Sequence, residues 1–374
     1  MRGGTWKLCG LALLVAAVAV GGCRKDTEST GGKATAAGTK RLILLTNGDD
    51  PFWDAMRSGM EDAAKELKLD EAKLKAELDK NDNTPKGQVD KLKQYASQTD
   101  VAGVAVSVTD AKNVAIADAM RNLQKQGVKV ITVDSDVDRS VARDARFAYL
   151  GTDNVTGGKE LGKTAKGLRP DGGKYVCFVG LKSAANAEER VDGFAQGAGD
   201  KFKQLEYLGD DMDLNVAQKN VRDALDRHPE ADTLVGIWAY NAHAIADTVK
   251  DRNVRDKTTV VVFDAAPAAL IDMDAGLIDA MVVQNPYDMG YKAMRLMKAL
   301  IGDDQATVKE MYPAWDAGEK KFTEPEGDLI ITGLKVVVPD DKSPLRREMF
   351  NEDTEFLTLD NFKAWLNSKK LTGS

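Results

Sequence analysis

The residues able to do chemistry in this chain gather where short apolar runs end. Leu45 leads into Thr46-Asn47-Gly48-Asp49-Asp50-Pro51-Phe52-Trp53, Val106 into Ser107-Val108-Thr109-Asp110, and Val133 into Asp134-Ser135-Asp136. Later runs are followed by Arg190 at the far end of a polar loop, by Asn241 and by Asp264, and one closes on Gln284. These are carboxylates, amides, one guanidinium and two adjacent aromatic rings, with no thiolate and no evident nucleophile–base pair. Such a set suits a sugar ring, whose hydroxyls each donate and accept and whose two faces are apolar. Carboxylates and amides can engage neighbouring hydroxyls bidentately, and the charge-assisted bonds are the stronger kind; Phe52 and Trp53 would cover a CH face. An aspartate after a strand also caps the helix that follows, and for any single one that reading is favoured. Seven polar positions converging on strand ends beside Phe52-Trp53 favour a ligand.

The elements that must position these residues are legible. Runs at 41–46, 101–107, 128–133, 174–180, 233–238, 258–263 and 280–284 are continuously apolar, as buried strands are. Between them lie stretches of helical spacing; in Asp54–Lys68, Met56, Met60, Ala63, Ala64 and Leu67 recur every three or four residues. Continuous apolar strands alternating with helices imply an α/β protein with parallel sheets covered on both faces. Ligands of such sheets bind outside the carboxyl ends of the strands, which is where the polar set lies.

The 374 residues suit two lobes rather than one core. Acids outnumber bases by 59 to 52, so no basic footprint invites nucleic acid. The first 22 residues carry only Arg2 and Lys7 as charges, followed by the apolar run Leu8–Val20. That is an export signal, too short to span a bilayer comfortably. It ends in Val20-Gly21-Gly22-Cys23, similar to a bacterial lipobox, so residues 1–22 are expected to be removed and Cys23 lipidated. Residues 24–40, rich in Thr, Gly and Ala, read as a flexible tether. Cys177 lies in an apolar run and reads as inert packing.

Two motifs need weighing. Gly157-Gly158-Lys159-Glu160-Leu161-Gly162-Lys163-Thr164 satisfies the P-loop pattern literally. A P-loop must leave its strand directly; here Thr152-Asp153-Asn154 intervenes, and the helical spacing of Val155, Leu161, Ala165 and Leu168 runs through the glycines, which read instead as close helix packing. Asp79–Asn83 begins like a calcium loop, but Thr84 stands at the turn glycine and Asp90 at the bidentate glutamate. Neither a metal nor a cofactor is expected. His228 reads as a surface residue, and His243 as an edge of the site.

The ordered set Asp49-Asp50-Pro51-Phe52-Trp53, Thr132-Val133-Asp134, Tyr149–Asn154 with Gly157-Gly158, Glu189–Phe194 and Val262-Phe263-Asp264 resembles the type I periplasmic sugar-binding proteins of the ribose and galactose/glucose kind. The resemblance runs from about Arg41 to about Val338. It implies two doubly wound lobes joined by a three-crossover hinge, near Thr152, near Asn285 and around Leu334, closing on a monosaccharide. The lobes would be 41–152 with 285–330 and 153–284 with 331–338, with 339–374 an extension of unassigned role. The implied ligand contacts are Thr46, Asp50, Phe52, Trp53, Ser107, Asp134, Arg190, Asn241, Asp264 and Gln284. The implied partner is the permease of an ABC-type importer, served by a monomer held to the membrane through Cys23. Three positions depart from the family. Ser135 stands where ribose-type members have an arginine, Ser107 replaces a usual asparagine, and Leu214 occupies the approximate place of a stacking aromatic, which Trp238 could replace. Other readings are a sensor handing its bound state to a receptor, a carbohydrate-active enzyme using two of Asp50, Asp134 and Asp264, and a sugar-responsive transcription regulator. The export signal and the acidic charge oppose the last.

Overall fold

The computed structural model describes residues 38–374; the export signal, Cys23 and the tether up to residue 37 lie outside the described residues. The chain first lays down β1 (Lys40–Leu45), β2 (Leu74–Asp79), β3 (Val101–Val106), β4 (Lys129–Val133) and β5 (Tyr149–Gly151), separated by helices. It then crosses to β6 (Gly173–Val179), β7 (Phe202–Gly209), β8 (Thr233–Gly236), β9 (Thr259–Phe263) and β10 (Ala280–Val283). The helix Pro286–Ile301 carries it back to a small hairpin, β11 (Trp315–Asp316) and β12 (Lys321–Phe322), and to β13 (Leu329–Ile331). Three residues later it crosses again to β14 (Lys335–Val338), followed by β15 (Glu355–Thr358).

The first sheet has the order β13-β5-β4-β3-β1-β2 and is parallel throughout. The second, β15-β14-β10-β9-β8-β6-β7, is parallel except where β14 runs against β10. Each sheet therefore reverses its winding beside its first strand, β1 or β6, the switch point that opens a crevice at the carboxyl ends. All seven apolar runs are strands to within a residue or two. The edge strands β2 and β7 escape that reading because an edge strand is only half covered: in LKAELD and FKQLEYLG polar residues interrupt the apolar ones, and most positions are partly exposed.

The P-loop-like glycines lie inside the helix Asn154–Leu168, which Asp153 caps by accepting from the Thr156 amide at 2.9 Å. Gly157 meets the Phe263 ring, and Gly158 and Gly162 face the helix Ala185–Ala198 at close range. A Cβ at Gly158 would collide with the Arg190 carbonyl, one at Gly162 with the Phe194 carbonyl, and ones at Gly193 and Gly197 with carbonyls of the first helix. The four glycines let two backbones touch, and this fixes the helix that carries Arg190. No phosphate-cradling loop forms. Among the described residues no group of His, Cys, Asp and Glu is arranged to hold a metal.

The chain beyond Val338 adds β15 to the edge of the second sheet and packs the helix Leu359–Ser368 by Phe362 and Leu366. Thr358 caps this helix, accepting from the Asn361 amide, while Asp360 sits in the first turn. Overpacking costs about 1–3 kcal/mol, so Gly162→Ala is expected to lower the melting temperature by several degrees, while ATP with magnesium shifts neither protein. Wild-type melting of Gly162→Ala would refute the close-packing role.

Candidate functional site

Loops from both sheets converge on one narrow cleft at the carboxyl ends of the strands, the place where ligands of such sheets bind. Its wall takes Asn47, Asp50, Phe52, Trp53 and Asp134 from the first sheet's carboxyl ends. The second contributes Asn186, Arg190, Met212, Trp238, Ala239, Asp264 and Gln284.

Asp134 follows β4 and Asp264 follows β9, at equivalent places in the two sheets. Both hold left-handed backbone, φ +63° and +65°, a conformation costing about 1–2 kcal/mol for a residue with a Cβ and least unfavourable for Asp and Asn. Asp134 Oδ2 accepts from Ser107 Oγ at 2.9 Å and from Asn186 Nδ2 at 3.2 Å. Both oxygens of Asp264 accept from Gln284 Nε2, at 3.0 and 3.2 Å, and Gln284 Oε1 in turn accepts from Thr152 Oγ1 at 2.7 Å. Asp50 spends one oxygen on its helix, Oδ1 accepting from the Phe52 amide at 2.8 Å. Capping and wall-forming thus coexist in one residue. Phe52 and Trp53 meet edge to face with centroids 5.1 Å apart.

Arg190 is 1% exposed and lies between the two aspartates, 3.8 Å from Asp134 Oδ1 and 3.9 Å from Asp264 Oδ2. Those separations exceed the 2.7–2.9 Å of a direct charge-assisted bond. Asn154 Oδ1 at 3.0 Å, the Ile237 carbonyl at 3.2 Å and the Phe263 ring 4.0 Å beneath hold the guanidinium in place. Its Nη2 has no partner. The same holds for three more buried wall atoms: Trp53 Nε1, Trp238 Nε1 and Asn186 Oδ1. Four orphaned polar atoms around one space are unusual, because buried polar groups in native proteins are nearly always paired. Three donors and an acceptor, interleaved with carboxylates, match a body whose hydroxyls both give and take.

Of the expected contacts, Thr46, Ser107 and Asn241 are buried behind the wall. Thr46 Oγ1 donates to the Gly48 carbonyl at 2.6 Å and so shapes the first loop. Ser107 reaches the cavity only through Asp134. Asn241 is turned away: its Nδ2 donates to Asp210 at 2.9 Å and its Oδ1 accepts the Trp238 amide at 3.1 Å. It therefore holds Trp238, which forms the wall, with Gly180 leaving room for the indole. Leu214 is 61% exposed at the start of the helix Leu214–Arg227. Met212, held by its amide on Asp210 Oδ1 at 2.9 Å, takes the wall position and packs over Gly48. Sequence reasoning missed Asn47, Asn186, Met212 and Ala239 as wall residues. Asn47 sits in a loop already singled out and Asn186 in the first turn of the helix Ala185–Ala198 that carries Arg190; Met212 and Ala239 carry no sequence signal. Ser135 is buried and outside the wall, and His243 pairs with Asp272 at 2.7 Å, also outside it.

Two α/β lobes closing strand ends on a polar, aromatic-walled cleft define the type I periplasmic binding protein. Residues 42–305 match the family model for the periplasmic binding protein domain, and the chain belongs to that family. It is 26% identical to the D-allose-binding periplasmic protein of Escherichia coli K12 over 268 residues, 70% of this chain and 84% of that protein. To the ribose import binding protein of the same strain it is 24% identical over 306 residues, 81% and 95% of the two chains. It shares its fold with an ABC transporter solute-binding protein from Burkholderia graminis C4D1M crystallised with D-arabinose. That likeness has a TM-score of 0.68, 24% identity, and coverage of 82% of this chain and 98% of that one.

Burial raises the three wall carboxyls. Asp50 is pushed up to about 7 chiefly by desolvation, and Asp264 and Asp134 add repulsion. Asp264 rises to about 6 and Asp134 also rises, in each case by desolvation that Arg190 partly offsets. In an opened, wet cleft the same groups return toward ~3.9. Between about pH 4 and pH 7 the closed, empty form therefore binds more protons than the open one, so closure without ligand is favoured in acid and lost as pH rises through 6 to 7. Small-angle scattering of the unliganded protein should give a larger radius of gyration at about pH 8 than at about pH 5. The double variant Asp50→Asn, Asp264→Asn should flatten that dependence, and an unchanged slope would acquit these acids.

Proposed function

We propose that this protein captures one monosaccharide in the interlobe cleft and presents it to the permease of an ABC-type importer, making and breaking no bond. The observation that carries this reading is the set of orphaned atoms, Trp53 Nε1, Arg190 Nη2, Trp238 Nε1 and Asn186 Oδ1, on the residues that line one cleft with three carboxylates. A pentose or hexose supplies hydroxyls to all of them, and its CH faces meet Trp53, Phe52 and Trp238. The ribose and allose named for the relatives and the arabinose of the structural neighbour support the ligand class. Ligand contacts come from Asp50, Phe52, Trp53, Asp134, Arg190, Asp264 and Gln284; Thr46, Ser107 and Asn241 act through them. No cofactor is needed.

The working parts follow from this reading. Residues 41–152 with 285–330 form one lobe, 153–284 with 331–338 the other, and the three crossovers between them bend. Residues 1–22 are removed on export, Cys23 is lipidated, and the tether 23–40 holds a monomer near the membrane. Cys23→Ser should move the protein from the membrane to the soluble fraction; retention on the membrane would refute the anchor.

Thermal shift against a panel of pentoses, hexoses and polyols tests the ligand class, since ligand at 100 times its Kd adds about 2.7 kcal/mol. A flat response across the panel would refute the sugar reading. For the sugar found, Asp50→Asn and Asp264→Asn replace a charged acceptor by a neutral one, and Asn tolerates the left-handed backbone at 264. Each should cost about 1–2 kcal/mol of binding, roughly five- to thirtyfold in Kd by calorimetric titration. Apo melting temperatures should hold or rise, because each variant removes a buried charge. Unchanged affinity in both would take these acids out of the site.

A further inference from the structure

Residues 369–374, well beyond the stretch that matches the family, return to the ligand site. Lys370 turns the chain at φ +57°, Leu371 buries its side chain, and Ser374 is 3% exposed. The Ser374 amide donates to the Ala265 carbonyl at 3.0 Å and accepts the Ala265 amide at 2.7 Å on its own carbonyl. Its Oγ donates to the Gln284 carbonyl at 3.1 Å. Gly373 lies so close that a Cβ would stand 2.7 Å from the Ala265 carbonyl and 2.8 Å from the Pro267 ring. Lys369 places its ammonium 5.2 Å from the ring of Tyr287, in the first turn of the helix that crosses between lobes. The segment thus grips the residue after Asp264 and the backbone of Gln284, the two wall residues that bond each other.

The molecule contains its own comparison. Asp134 is the counterpart of Asp264 in the other sheet, with the same left-handed backbone. There the next residue is held by its own lobe: the Ser135 amide donates to Val133 at 2.7 Å, its carbonyl accepts from Val108 at 3.0 Å, and the Tyr149 hydroxyl donates to the Asp134 carbonyl at 3.0 Å. At Asp264 the following residue bonds to Ser374. A strained backbone persists only where its surroundings over-determine it.

We propose that residues 369–374 are a positioning element of the ligand site, with Ser374 holding Asp264 and Gln284 in the geometry that meets the ligand. This rests on the sugar-binding reading above. The measurement is calorimetric Kd for whichever of D-ribose, D-allose and D-arabinose shifts the wild-type melting temperature most. Ser374→Ala keeps the backbone pair and loses one hydrogen bond, and should weaken binding about two- to tenfold; a chain ending at Lys370 loses all three and should weaken it about tenfold or more. In the Asp264→Asn background the same changes should cost less than about twofold, since a coupled pair is not additive. Losses of equal size in both backgrounds would reduce the segment to general stability and overturn the proposal. So would wild-type affinity in the chain ending at Lys370 or, should that chain not fold, in Ser374→Ala. If none of the three shifts the wild type, the sugar of the wider panel that shifts it most takes their place, and if the whole panel is flat the functional reading is what fails. The segment is then judged by amide exchange at Ala265: acceleration in the shortened chain with Ser135 unchanged supports it, and equal exchange at Ala265 overturns it.

Discussion

The cleft is organised around one buried guanidinium that touches two carboxylates without bonding either. Arg190 stands 3.8 and 3.9 Å from Asp134 and Asp264, which hang from different sheets, and one of its nitrogens is left unpaired. A buried charge without full hydrogen bonding is costly, so this arrangement needs both rigid support and a missing partner. The support is visible: Asn154, the Ile237 carbonyl and the Phe263 ring hold the side chain, and glycine-lined helices fix the backbone beneath it. The gap between guanidinium and carboxylates is bridging distance for a ligand oxygen.

Much of the remaining structure serves that gap. The two aspartates are turned into the cleft by a backbone conformation that strands do not otherwise use, at matching places in two sheets of like winding. Burial raises the pKa of both aspartates and of Asp50 beside them, and Arg190 offsets part of the rise at Asp134 and Asp264. Hydroxyl donors would relieve this crowding by hydrogen-bonding the carboxylates.

A second layer explains why several polar strand-end residues do not face the ligand. Asp210, Tyr240 and Asn241 bond one another and hold the Met212 and Trp238 backbones. The apolar walls are thus set by a polar network behind them, and the residue that looks like a contact in sequence is the support of one.

The alternation of apolar runs and helical stretches determined the α/β class, seven of the strands and the placement of the polar set at their carboxyl ends. These features depend on local periodicity and on which face is buried, and neither needs long-range information. The same pattern placed Asp50, Phe52, Trp53, Asp134, Asp264 and Gln284 at strand ends, the resemblance to the sugar-binding family singled out these and Arg190 as contacts, and all seven line the cleft. Only the tertiary structure decided the rest. Edge strands β2 and β7 are half exposed and lack the continuous apolar signature. Asn241 and Trp238 lie three residues apart at one strand end, and which of them meets the cavity turns on Asp210, contributed by the end of β7. Met212 rather than Leu214 enters the wall because its amide is held by that same carboxylate. Ser374 reaches Ala265 across more than a hundred residues of sequence. Each of these outcomes is a contact between distant segments, and periodicity along one segment carries no information about what another segment brings to it.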